Sequence, residues 1–127
     1  LTEQAAELPL NLLLVIPTTP NLDLTEERTL IEQATMPLGE ALNLHVLDGI
    51  VELTSLSDTL LARSSDIIHF SGHGGNSDGQ GYIGLNTHDG QISWTSGRVL
   101  SQLLANHKSL KLVVLNTCSG GQVDDSK

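Results

Sequence analysis

Two segments of the sequence end in residue types that can carry out nucleophilic chemistry. An apolar segment leads into His73 and Gly74, and a later apolar segment leads into Asn116 and Cys118. A thiol attacks as its thiolate, and a neighbouring imidazole can take the thiol proton and later deliver it to a leaving amine. His73 is therefore the candidate general base and acid, and Cys118 the candidate nucleophile, of a hydrolysis that the fold must organise.

The elements that would position these residues alternate between strand and helix. Continuous apolar runs predict strands over 10–16, 44–47, 66–70 and 110–116. Helical spacing of apolar residues predicts helices over about 25–35, 54–63 and 96–107, and Asp89-Gly90 predicts a hairpin joining 82–85 to 91–93. The glycine-rich stretch 72–84 is interpreted as turns. This order predicts an α/β fold with a mostly parallel sheet covered on both faces.

Such a sheet binds ligands beyond the carboxyl ends of its strands. His73 and Cys118 are each predicted to lie two or three residues past a strand. If those strands are neighbours, about 4.8 Å apart, the two residues face each other across one crevice. Gly74 lets the main chain approach a substrate, so the amides of Gly74 and Cys118 are candidate oxyanion donors. Three residues near them in sequence are predicted to line the substrate groove: Asn116, Ser71 and Ser119.

Charge and composition exclude several classes of partner. Six Lys+Arg against 15 Asp+Glu give a net charge of −9, which disfavours direct binding of nucleic acid or an anionic membrane. No apolar run approaches the ~20 residues of a membrane-spanning helix. A single cysteine excludes an internal disulfide and is typical of a reducing compartment, so a cytoplasmic location is expected.

Metal and nucleotide sites find little support in the sequence. Zinc needs three or four converging ligands, and one cysteine with dispersed histidines does not offer them, so no metal is expected. The glycine-rich stretch lacks the Gly-Lys-Ser/Thr of a phosphate loop, and acyl transfer through a thiol needs no cofactor. His69 lies inside the third predicted strand and is interpreted as a structural histidine or one that orients the site.

Two motifs together carry a resemblance to a known family. The segments "DIIHFSGHGG" and "LKLVVLNTCSGG" resemble the caspase-like cysteine peptidases, most closely their CHAT-domain branch, and "GYIGLNTHDGQISW" resembles the hairpin that members carry after the histidine. The resemblance covers about 10–121. It implies a caspase-like three-layer sandwich in which His73 is the catalytic histidine, Gly74 the oxyanion glycine and Cys118 the nucleophile.

The resemblance also implies how the chain is organised. Family members continue with further strands and helices after the cysteine, so the C-terminal part of the fold is expected to be missing from this chain. Residues 1–9 are interpreted as a linker or the end of a preceding segment, and 10–127 as the N-terminal, large-subunit-like portion of the domain. The expected partners are a protein or peptide substrate, a tetratricopeptide-repeat or other regulatory segment, and the remainder of the peptidase fold.

One departure from the family and two alternatives stay open. Relatives that cut after Arg or Lys, such as metacaspases, place an Asp two residues before the nucleophile, where this chain has the neutral Asn116. Acidic residues elsewhere would have to supply such selection. The first alternative is a catalytically silent scaffold that binds protein partners. The second is a flavodoxin-like or receiver-type domain, which needs an acidic cluster or phosphate loop that these strand ends do not supply: Pro17, Asp48, His73 and Cys118.

Overall fold

The computed structural model describes residues 8–19 and 23–118. Strands and helices alternate along the chain, as the apolar pattern predicts. Their order is β1 (Leu10–Pro17), α1 (Thr25–Thr35), a 3₁₀ segment (Met36–Ala41), β2 (Leu42–Gly49), α2 (Leu53–Ala62), β3 (Ile67–Ser77), β4 (Gln80–Asn86), β5 (Ile92–Ser96), α3 (Gly97–Leu104) and β6 (Leu112–Cys118).

The strands form one mixed sheet. Four of them are parallel, in the spatial order β2-β1-β3-β6. The C-terminal half of β3 also pairs with β4 in antiparallel fashion, and β4 pairs with β5 in the hairpin that Asp89-Gly90 predicts. The predicted α/β class is confirmed, and the parallel part of the sheet holds both strands that carry the candidate site.

The core lies between the sheet and the helices α2 and α3. Leu13 and Val15 of β1 pack there with Leu56 and Leu60 of α2 and with Leu100 of α3. Burying each such aliphatic side chain contributes about 1.5–3 kcal/mol. Leu14, on the other face of β1, is also fully buried, which explains why this strand is apolar at every position.

β3 is longer than the sequence predicts. The predicted strand ends at Phe70, but β3 continues to Ser77 because β6 and β4 offer it hydrogen-bonding neighbours. The missed signal is Asp78-Gly79, whose positive φ angles of 50° and 78° make a two-residue hairpin turn. His73 therefore lies inside β3 and Cys118 is the last residue of β6, not two or three residues past a strand as predicted.

Asp66 fixes the register of β3 against both neighbours. The N–H of Asn11 donates to the Asp66 carboxylate at 2.8 Å, and the N–H of Asp66 donates back to the carbonyl of Asn11 at 2.8 Å. On the other side, the N–H of Lys111 donates to the Asp66 carbonyl at 2.8 Å, and its ammonium donates to the carboxylate at 2.9 Å. One residue thus ties β1, β3 and β6 together at the end of the sheet opposite to His73.

These contacts predict a pH-dependent contribution to stability. The Asn11 N–H first, and then Lys111, hold the pKa of the Asp66 carboxyl below its usual value. A depressed pKa stabilises the fold above the unfolded value of about 3.9, and that stabilisation is lost as pH falls through the lower folded value. We therefore expect Asp66→Asn to lower the free energy of unfolding at pH 7, and the deficit to shrink between about pH 5 and pH 2.

Urea unfolding curves recorded across this pH range measure the effect. Asp58→Asn, at an exposed position of α2, is the matched control and should leave the free energy of unfolding almost unchanged. A deficit in Asp66→Asn that stays constant down to pH 2 would contradict the assignment.

Candidate functional site

The register of β3 against β6 brings the two predicted catalytic positions together. The two strands are parallel neighbours, and the Cα of His73 is the ladder partner of the Cα of Cys118. Neighbouring strands lie about 4.8 Å apart, so the two positions are adjacent across the ladder. The expectation that these strands are neighbours is confirmed. The sequence pattern alone did not decide which strands pair.

On the side of β3 away from β6, Gly84 leaves room beside His73. His73 is half-buried on β3. A Cβ built on Gly84 of β4 would lie 3.3 Å from the Cβ of His73, closer than most such contacts. Because Gly84 has no side chain, β4 can lie directly beside His73. His73 therefore has β6 on one side and the backbone of Gly84 on the other.

Gly74 is required by the close approach of β6. A Cβ on Gly74 would come within 2.5 Å of the Cβ of Thr117 and 2.7 Å of its hydroxyl oxygen. The sequence prediction gave a different reason for this glycine, the approach of a substrate to the main chain. The structure adds a packing reason, and the role of the Gly74 and Cys118 amides as oxyanion donors stays a prediction.

The carboxylate of Glu27 in α1 lies against the sheet next to Ser71, two residues before His73 on β3. Ser71 is fully buried, and its hydroxyl donates to Oε1 of Glu27 at 2.6 Å. Asn116, the ladder partner of Ser71, donates its side-chain N–H to the same oxygen. The Nε2 atom of His69 lies 3.5 Å from that oxygen. Glu27 therefore joins α1, β3 and β6 at the candidate site.

Sequence reasoning did not single out Glu27. It lies 44 positions before Ser71 and 89 before Asn116, and an acidic residue in the first turn of a helix is ordinary, because it complements the helix dipole. Only the packing of α1 across the sheet shows what this carboxylate touches.

The structure describes two of the three residues that were predicted to line the substrate groove. Ser71 and Asn116 lie beside each other and both contact Glu27, while Ser119 lies outside the described residues. Because Ser71 is fully buried, any effect it has on a substrate passes through Glu27. The role of all three in substrate binding stays a prediction.

A separate cavity of about 470 Å³ lies on the other face of β3. Leu100 of α3 and Leu115 of β6 contribute to its wall, together with Gly74 and Thr117. Residues alternate between the two faces of a strand, so this cavity opens away from the face that carries Ser71 and His73. We assign the candidate site to the Glu27 face because the titratable side chains converge there.

Within 8–19 and 23–118, no three His, Cys, Asp or Glu side chains converge in a way that would hold a metal ion. None of the helices in that part of the chain is long and apolar enough to span a membrane. The chain matches no protein-family model. It matches no curated protein either.

Proposed function

We propose that this chain forms part of a caspase-like cysteine endopeptidase of the CHAT branch, which hydrolyses peptide bonds through His73 and Cys118. The observation that carries the proposal is the ladder pairing of these two residues on adjacent parallel strands. The strand that carries the histidine, the hairpin after it and the helix that precedes the cysteine strand follow one another in the order that the family resemblance implies.

The chemistry assigns one role to each residue. His73 removes the proton from the Cys118 thiol, and the thiolate attacks the carbonyl carbon of the scissile bond. The tetrahedral oxyanion accepts hydrogen bonds from the amides of Gly74 and Cys118. The C–N bond then breaks as His73 returns the proton to the leaving amine, and water hydrolyses the thioester with His73 again acting as the base.

The exposed side chains of β6 favour a further polypeptide against this strand. Leu112, Val113 and Leu115 are 52%, 37% and 51% exposed, and within the described residues β6 pairs with β3 alone. An apolar edge strand is prone to aggregation unless another segment covers it. In the proposed enzyme, the remaining part of the peptidase fold covers this edge, and a tetratricopeptide-repeat or other regulatory segment controls activity.

The same exposed strand also favours the second candidate, a catalytically silent scaffold that binds protein partners. The two candidates differ in whether Cys118 is consumed and regenerated in a reaction. A scaffold keeps its partners when the thiol is removed, whereas an endopeptidase loses turnover.

The test is cleavage of an unbiased peptide library by the full polypeptide that carries this chain, compared with Cys118→Ala. We expect the wild type to cleave, with or without candidate regulatory partners, and Cys118→Ala to lose cleavage while its unfolding curve stays close to that of the wild type. Cleavage that survives in Cys118→Ala would refute the nucleophile. A wild type that cleaves nothing but retains partners equally in both proteins would favour the scaffold.

A further inference from the structure

Trp94, the only tryptophan of the chain, lies in the same row of the sheet as the two candidate catalytic residues. It is the ladder partner of Gly84 in β4. The register of β3 against β4 continues to His73 and Gly84, and a Cβ on Gly84 would lie 3.3 Å from that of His73. Because His73 in turn pairs with Cys118, the row across the sheet runs Cys118, His73, Gly84, Trp94. Ladder partners point to the same face, so Trp94 shares the face of the candidate site.

Two further uncharged side chains border Gly84 on this face. Tyr82 lies two residues before Gly84 on β4, and its hydroxyl donates to the side chain of Gln80 at 3.3 Å. Ile92 of β5 lies on the other side, since its Cγ2 atom would be 3.3 Å from a Cβ on Gly84. Both side chains are half-buried, as is Trp94. We call Trp94, Tyr82 and Ile92 the apolar patch.

The apolar patch does not belong to the core that holds β4 and β5 in place. That core lies on the opposite face, where Ile83 of β4 packs with Leu100 of α3 and Thr95 of β5 is buried. Residues of a strand alternate between the two faces, so the patch lies on the side away from α3. Its side chains therefore keep exposed apolar surface in the neighbourhood of His73.

The order of the strands decides which part of a bound peptide would meet the apolar patch. β6 carries the nucleophile and β3 the base, and β4 and β5 follow on the side of β3 away from β6. A general acid gives its proton to the leaving amine, so the residue that follows the scissile bond lies on the His73 side of Cys118. The Cα of Trp94 is two strand spacings from that of His73, about 9.6 Å. Gly84 places no side chain in this interval.

We propose that Trp94 is a specificity-determining residue of the proposed peptidase, and that with Tyr82 and Ile92 it binds an apolar side chain on the first residue after the scissile bond. The inference rests on the proposed function, because the peptide must lie across Cys118 and His73. A leucine side chain at this position loses contact with water against the indole, whereas glycine has no side chain to bury. A charged side chain would lose hydration and find no partner among the three patch residues.

The experiment measures kcat/KM of the full polypeptide that carries this chain for two peptides that differ only in the first residue after the scissile bond, leucine or glycine. The sequence before that bond is taken from the library cleavage. In the wild type, we expect leucine to be preferred about tenfold or more. In Trp94→Ala the preference should largely disappear, whereas Trp94→Phe, which keeps an aromatic ring, should retain most of it.

A peptide methyl ester with the same sequence before the scissile bond separates specificity from a structural role. Its leaving group is methanol, which does not reach the apolar patch, so Trp94→Ala should hydrolyse the ester at the wild-type rate. Ser93→Ala is the matched control on β5, because its ladder partner Leu85 belongs to the core of the opposite face, and it should keep the leucine preference. Equal losses on the ester and on both peptides would show that Trp94 only supports the fold, and would overturn the proposal.

Binding distinguishes a failure of this inference from a failure of the proposed function. Peptides of three alanines preceded by leucine or by glycine correspond to the leaving product, and their binding is followed by tryptophan fluorescence, with Trp94→Phe as the blank. We expect the leucine peptide to change the Trp94 emission at a lower concentration than the glycine peptide. That result in a protein that cleaves nothing would uphold the inference and refute the peptidase. The inference is overturned if neither cleavage nor binding favours leucine, even where cleavage itself is normal.

Discussion

Replacing His73 with alanine is expected to lower kcat/KM for peptide cleavage about 10²–10⁴-fold, the range over which a positioned general acid–base group acts. The register that sets His73 against Cys118 is the physical reason, because no other imidazole occupies the ladder position beside the thiol. His69, four residues before His73 on β3, faces Glu27 instead. If His73 acts on the thiol and the leaving amine, as proposed, and does not hold the substrate, the loss should fall on kcat.

The matched control is His88→Ala. The side chain of His88 is 96% exposed in the β4–β5 hairpin, so its removal should leave kcat/KM unchanged. Urea unfolding of both variants separates a chemical effect from a folding effect. Cleavage by His73→Ala within a few-fold of the wild type, in a protein that unfolds at the same midpoint, would refute His73 as the base.

Gly74→Ala is expected to destabilise the fold by about 1–3 kcal/mol or more. The new Cβ would have to occupy space 2.5 Å from the Cβ of Thr117, a distance that forces β3 and β6 apart. Separation of these strands would also move His73 away from Cys118, so activity should fall together with stability. Thermal or urea unfolding measures the first effect, and peptide cleavage the second.

Two further variants test the steric reason. Gly81→Ala, in the adjacent strand β4, would place its Cβ in nearly open space, with Asn76 4.0 Å away, and should be neutral or slightly stabilising. Thr117→Gly removes the atoms that the new Cβ would meet, so Gly74→Ala should cost less in a Thr117→Gly background than in the wild type. Equal costs in the two backgrounds would show that the clash is not the cause.

The apolar pattern predicts the elements of the sheet well because burial dictates it. β1 is buried on both faces and reads as a continuous apolar run. Asp89-Gly90 correctly marks the hairpin between β4 and β5. The strand extension through Gly72 to Ser77 escapes the pattern, because glycine and polar residues carry no strand signal of their own. Neighbouring strands on both sides supply the hydrogen bonds that keep this segment extended.

The sequence predicts some residues of the candidate site, whereas others are found only from the packing. His73 and Cys118 can be selected from their residue types, because each follows an apolar segment and together they supply a base and a nucleophile. Their pairing depends on the register that Asp66 holds through Asn11 and Lys111, which are distant in sequence. Glu27 escapes sequence reasoning entirely, because its contacts with Ser71 and Asn116 arise only when α1 packs across the sheet.

Alkylation of Cys118 by iodoacetamide tests the central claim most directly, because Cys118 is the only cysteine and any adduct reports on it alone. The rate should be measured from pH 5 to pH 9 in the wild type and in His73→Ala. If His73 activates the thiol, the wild type reacts appreciably below pH 7, and His73→Ala shifts the midpoint up toward about 8.5, the value of an ordinary thiol. Identical pH profiles in the two proteins would contradict the account.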